Sequence, residues 1–223
     1  MIAAKLIAKM LKPPICLCGL AAASLLVSAR AQVVAFNSFG AGNSYSHATV
    51  WAVSGASLAG GYRGQAEFFT PSVTGYLSSF ELATYRVSGS ALSNFYIAQD
   101  NGSGVPGTNI ESFINVANIT GVLTINSIVK PLLQAGTQYW LCDEPATSTS
   151  YNGWYYNNQG YDYGFAFERS EWSWAAIPGP TVSSGVFEVQ VTPVPEAGVV
   201  SLSLLGSVCL WKFRGRSRNR RAG

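Results

Sequence analysis

Between residues 32 and 193 the apolar positions come in short runs, and turn residues break every run. No stretch sustains a helical period. Alternation with a period of two puts successive side chains on opposite faces, the pattern of a strand with one buried side. Residues 185–191 show it most cleanly. Phe187, Val189 and Val191 fall on one face, and Val186, Glu188 and Gln190 fall on a face expected to be wet. Residues 76–87 place Phe80 and Leu82 together, 91–98 place Phe95 and Ile97 together, and 122–129 gather Leu123, Ile125 and Val129. Residues 65–70, 108–116 and 137–142 are further strands, with 33–39 and 47–53 as outer ones.

Turn chemistry separates these runs. Ser88-Gly89-Ser90 is expected to close a hairpin between Val87 and Ala91. The stretch from Asp100 to Gly107 is a longer connection, Ala135-Gly136 turns the chain into Thr137, and Pro178-Gly179-Pro180 precedes the last strand. No repeat of fixed period is present, which argues against a solenoid or propeller. The expected fold is all-β, an antiparallel β-sandwich of jelly-roll type spanning residues 32–193.

The two ends follow a different pattern. Lys5, Lys9 and Lys12 precede an apolar run at 15–27, and Ser28-Ala29-Arg30-Ala31 follows it. A basic start, a short apolar run and small residues at Ala29 and Ala31 make a secretory signal peptide, with cleavage expected after Ala31 so that Gln32 begins the mature chain. Signal peptidase is the implied partner. The run is short against the roughly 20 residues of a stable span, which weighs against a retained anchor. Leu17 before Cys18 does not suit a lipoprotein signal.

At the other end, Val194-Pro195-Glu196 leads into an apolar stretch at 197–211, then a basic tail at 212–223 with Lys212, Arg214, Arg216, Arg218, Arg220 and Arg221. An apolar helix followed by arginines inserts with the arginines on the cytoplasmic side. A plain tail anchor would look the same. This tripartite end resembles the PEP-CTERM sorting signal of Gram-negative bacteria, although Ala197 stands where the strict motif has a second proline. The resemblance implies recognition by an exosortase, transient residence in the inner membrane, cleavage near Pro195-Glu196 and delivery to the cell surface or matrix of an exopolysaccharide producer.

These ends change the charge. The whole chain is +3, yet residues 32–196 hold all 11 acidic residues and only four basic ones, Arg63, Arg86, Lys130 and Arg169, leaving −7 for the exported part. Such a balance excludes a nucleic-acid partner. Cys142 alone remains outside the terminal signals, so no intrachain disulfide or cysteine metal site is available, and burial is expected for it beside Trp140 and Leu141.

A second resemblance lies in the body. Gln65-Ala66-Glu67-Phe68-Phe69-Thr70, the Asp100-Asn101-Gly102 and Pro106-Gly107 pieces, and Ala135-Gly136-Thr137-Gln138-Tyr139-Trp140-Leu141 together are similar to the choice-of-anchor β domains, nearest the type labelled R. The match covers roughly residues 64–191. It implies a surface-anchored β domain and carries over no activity.

Candidate chemistry is sparse. His47, the one histidine, cannot build a multi-histidine metal site and has no nucleophile nearby. Glu81, Asp143, Glu144, Asp162, Glu168 and Glu171 are available for a two-carboxylate polysaccharide hydrolase, but their spacing singles out no pair. Asp143-Glu144 reads instead as an exposed strand end before Pro145. The Asp100 loop places Glu111 at the twelfth position of a calcium loop, but Gly102, Val105 and Pro106 do not suit that loop, which favours a hairpin connection. No metal or cofactor is expected.

Residues 151–174 are dense in rings and amides. Tyr163, Phe165 and Phe167 read as one buried face. Rings on both parities at Trp154, Tyr155 and Tyr156 suggest that some stay exposed. With Trp172 and Trp174 they are the candidate glycan contacts, because flat rings stack on sugar faces. The leading expectation is a non-catalytic surface or matrix protein associated with exopolysaccharide. A carbohydrate-binding module is the first alternative and a polysaccharide hydrolase the second.

Overall fold

A computed structural model describes residues 31–161, 164–168, 173–177 and 183–194. The positions expected to form a signal peptide, up to Arg30 and including Ala29, and those expected to form a sorting signal, from Pro195 onward and including Glu196, lie outside the described residues. Ala31 and Gln32 are exposed ahead of the first strand.

The described chain is all-β. Its strands are β1 (Val33–Asn37), β2 (Ser46–Ser54), β3 (Gly64–Phe69), β4 (Gly75–Ser88), β5 (Leu92–Asp100), β6 (Pro106–Ala117), β7 (Gly121–Asn126), β8 (Leu132–Leu133), β9 (Tyr139–Pro145), β10 (Tyr151–Tyr156), β11 (Phe165–Glu168), β12 (Trp174–Ile177) and β13 (Phe187–Pro193). They form two antiparallel sheets. One has seven strands in the order β1-β13-β4-β10-β2, with β7 and β8 also paired to β4; the other has six in the order β12-β11-β3-β9-β5-β6.

The alternation seen in the sequence builds the core between the sheets. Phe80 and Leu82 of β4 and Phe187, Val189 and Val191 of β13 come from one sheet; Phe95 and Ile97 of β5 and Leu141 of β9 come from the other. All belong to one contiguous apolar cluster, so the two sheets form a sandwich over a shared core. Phe80 lies edge-on to Phe113 of β6 at 5.2 Å, an arrangement that puts the positive ring edge against a negative face. Cys142 is buried, as its apolar neighbours require.

Several expectations need correction. Ser88-Gly89-Ser90 does not close a hairpin: β4 and β5 belong to different sheets, so the turn carries the chain across the sandwich. Gly89 takes φ 69°, which reverses the chain without fixing which strand receives it. The outer side of β13 is not wet, because Val186 is fully buried in a second cluster with Phe39, Ala83 and Tyr155, and Glu188 is also covered. Val129 does not join Leu123 and Ile125, since β7 stops at Asn126 and Val129 is 67% exposed. Asp143 is no exposed strand end; it lies inside β9 and is completely buried. The Asp100 loop is the connection of the β5–β6 hairpin, as expected. Its carboxylate accepts the Trp140 indole N–H at 2.8 Å and the Gly102 amide at 2.8 Å.

Candidate functional site

The ring-rich segment resolves strand by strand. In β10, Trp154 points inward and is fully buried; its indole donates to the Val186 carbonyl at 2.9 Å and its ring meets Phe187 edge-on at 5.7 Å. Tyr155 points the opposite way and is buried with Phe39 and Val186. A ring with no open face cannot stack on a sugar, so neither residue is the expected glycan contact. Tyr156 is half-buried, 5.3 Å from Trp51. Trp174 is half-buried and packs against Ala66, Trp140 and Cys142 on the outer face of the six-stranded sheet. Trp172, Tyr163, Asp162 and Glu171 lie outside the described residues. The predicted rings therefore do not make a single platform. Of the predicted inward row, Phe165 is buried and Phe167 is half-buried.

A different set of rings borders open space. A cavity of ≈ 170 Å³ at the edge of the sandwich is lined by Trp51, Arg63, Gln65, Phe165, Phe167 and Ile177. Trp51 stacks on Phe165 with centroids 4.2 Å apart and planes at 19°, and its indole donates to the Ser183 carbonyl. The space has room for a ring-sized group. The mouth carries Arg63, an exposed cation on an otherwise acidic body. Sequence reasoning missed this site because Trp51 and Arg63 lie about a hundred residues before Phe165. The stacked pair arises only because β2 and β11 lie in different sheets.

Two of the six candidate carboxylates do come together. Gly64 pairs with Glu168 of β11, and Glu144 of β9 lies on its other side, next to the Gln65–Asp143 pair. Two strand spacings place their backbones about 10 Å apart. Their side chains lean over the glycine: a Cβ there would meet Glu144 Cγ at 3.2 Å, Glu168 Oε2 at 3.3 Å and the Trp174 ring at 3.4 Å. The Tyr62 and Tyr96 hydroxyls both bond to Glu144. Burial, then the charge of Glu144, pushes the Tyr96 phenol up to about 12. Burial, with Glu144 and Glu168 adding to it, raises Tyr62 further still. Glu168 is only 1% exposed, and its Oε1 accepts the Ser173 amide at 2.8 Å. A general acid must reach the glycosidic oxygen of its substrate, and a carboxyl so covered does not. Glu144 and Glu168 thus flank Gly64 on the outer face of the six-stranded sheet, with Glu168 closed off by its own neighbours.

Two further acids are sunk between the sheets. Glu67 Oε1 accepts the Gly185 amide at 2.6 Å, and burial raises its proton affinity well above that of an ordinary carboxyl. Burial likewise pushes Asp143 up to about 8; the nearby Ser93 hydroxyl opposes the rise, though not in a geometry that fully bonds either oxygen. Both favour the neutral form.

His47 is exposed, with its ring 4.4 Å from that of Tyr45 and tilted 35° to it. No three His, Cys, Asp or Glu side chains gather in a metal-binding group among the described residues. Neither a family model nor a curated protein sequence matches the chain.

Proposed function

We propose that this chain is an exported, exosortase-processed, non-catalytic surface or extracellular-matrix protein associated with exopolysaccharide. The observation that carries the reading is the order at the C-terminal end: Val194-Pro195-Glu196, an apolar stretch at 197–211, and six basic residues behind it. The fold supports it in one respect. β13 ends at Pro193, and the Val194 amide still donates to the Thr74 carbonyl, so the described body runs up to the first residue of the motif, as a domain joined directly to a C-terminal signal requires. The placement of β3 and β9 in one sheet and β4 and β10 in the other suits a jelly-roll connection. Mass spectrometry of the protein recovered from cells and medium tests the reading. A C-terminus at or near Pro195 is expected, whereas an intact arginine-rich end on every molecule makes the protein a tail-anchored one instead.

The edge cavity favours a second reading, a carbohydrate-binding module that takes one sugar residue. Trp51, Phe165 and Phe167 supply apolar walls, and Arg63 supplies a hydrogen-bonding cation at the mouth. Retention of the protein on immobilised polysaccharide, with loss in Arg63→Ala, is the expected result. Equal retention of both proteins removes this reading.

A further inference from the structure

The turn between β7 and β8 combines rigidity with exposed aliphatic side chains. Glu111 of β6 is buried, and its carboxylate gathers the turn around itself. Oε1 accepts the Ile128 amide at 2.7 Å and the Val129 amide at 2.9 Å, while Oε2 accepts the Ser127 hydroxyl at 2.6 Å. Ser127 Oγ in turn accepts the Lys130 amide at 2.9 Å. The Leu77 amide donates to the Pro131 carbonyl, which fixes the far side. An anion ringed by backbone amides holds a turn in one shape. The shape it holds turns Ile128 outward at 84% exposure, with Val129 beside it. Exposed aliphatics gain by burial against another apolar surface, and a turn held in one shape presents these two without first having to be ordered.

Its place in the fold says where. The apolar tip continues onto the sheet through Leu132 and Tyr76, which pair across β8 and β4 and are both exposed. On the other side of β4, Tyr76 pairs with Thr192 and Gly75 with Pro193. The chain therefore leaves the body for residues 197–211 within about 10 Å, two strand spacings, of this patch. Three residues lie between Pro193 and Ala197, and the four steps from one to the other reach about 14 Å when fully extended. Whatever holds the apolar stretch is thus close to this end of the body. Lys130, one of four basic residues against 11 acidic ones in 32–196, stands at the tip between the aliphatics and Pro131.

We propose that this end of the domain is a membrane-facing surface, and that Ile128 and Val129 enter the interface of a bilayer with anionic headgroups while the chain is tethered. The inference rests on the reading of residues 197–211 as a membrane segment. Lys130 meets the headgroup charge, and the acidic remainder of the body is repelled, so the two together orient the domain with this end down.

The test uses the chain from Gln32 to Gly223, the form that export is expected to leave before sorting, reconstituted in vesicles of phosphatidylethanolamine and phosphatidylglycerol. Cys209 is replaced by serine, and the buried Cys142 is kept. A fluorophore is attached at Val129→Cys or, as a control at the opposite end of the sandwich, at Ser57→Cys. Lipids carrying a quencher should quench the label at 129 on the order of threefold more than at 57, as an apolar face lying about 5–10 Å into the interface requires. Ile128→Ser in the 129-labelled chain should reduce that quenching. Equal quenching at the two positions in chains that float with the vesicles overturns the membrane-facing surface and leaves the anchor intact. Chains that do not float overturn both.

Discussion

Gln65 and Asp143 face each other across the β3–β9 ladder on the inner side of the sandwich, and Gln65 Oε1 and both Asp143 oxygens are acceptors without a bonded donor. The Gln65 amide nitrogen is already committed to the Ala52 carbonyl at 2.7 Å. A proton on Asp143 supplies the missing donor, and burial favours that proton. At Asp143 the folded state then keeps a proton that the unfolded state has lost between the ordinary carboxyl range and about 8, and the raised Glu67 acts in the same direction. Stability should fall as pH climbs through that window and level off above it, where both states have lost the proton. Unfolding in urea at several pH values measures the slope. Asp143→Asn replaces the proton with a permanent N–H donor, so this variant should make the profile shallower, leaving the share due to Glu67, and be more stable than the parent at pH 9. An unchanged profile refutes the assignment.

Glu111 is a separate test of stability. It accepts two amides and a hydroxyl from the turn after β7. Glu111→Ala should cost about 2–3 kcal/mol, the scale of hydrogen bonds to a charged group. Hydrogen exchange at the Ile128 and Val129 amides should speed up well before global unfolding. If those amides stay protected, the carboxylate is not what holds the turn.

Gly185 is required by its neighbours. A Cβ there would lie 2.8 Å from Trp154 Cε2 and 2.9 Å from its Nε1. The indole cannot swing away without losing its bond to the Val186 carbonyl. Gly185→Ala should therefore destabilise by roughly 1–3 kcal/mol, the usual effect of overpacking. Thermal unfolding checks this, with Gly102→Ala as a contrast. A Cβ at Gly102 meets no atom within 4 Å, so only its φ of 84° resists substitution.

Trp154 and Arg63 separate folding from binding. Trp154→Ala opens a large hole in the core and should cost about 3–5 kcal/mol. Arg63→Ala removes an exposed side chain and should shift stability by no more than about 0.5 kcal/mol. Calorimetry of both variants, run beside the polysaccharide retention assay, keeps a loss of fold from being read as a loss of a site.

Much of the sandwich was legible because one side of each main strand faces a common interior. Phe80, Leu82, Phe95, Ile97, Phe187 and Val189 alternate in the sequence and are all buried. β10 was not legible, because both of its faces are covered: Trp154 by the core and Tyr155 by Phe39 and Val186. Rings on both parities then read as exposure when they meant burial twice over. The Ser88–Ser90 turn failed for another reason. Turn residues encode a reversal of direction, and the partner strand is chosen by packing far from the turn. The Glu144–Glu168 pairing needed the β11-β3-β9 order, and its one local trace is a glycine, Gly64, at the start of a strand.

The pairing of the first strand with the last has a consequence for the timing of folding. β13 lies between β1 and β4, with Val33 opposite Val191 and Phe80 opposite Val189. Every other strand among the described residues precedes it in the chain, so β1 stays unjoined to β4 until residues 187–193 arrive. Contacts spanning more than a hundred residues form slowly. A chain threading out from its N-terminus would thus expose Phe80, Leu82 and their neighbours until the last strand emerged. The edge of β4 that β13 later fills is therefore the surface most open to wrong pairing while the sheet is incomplete.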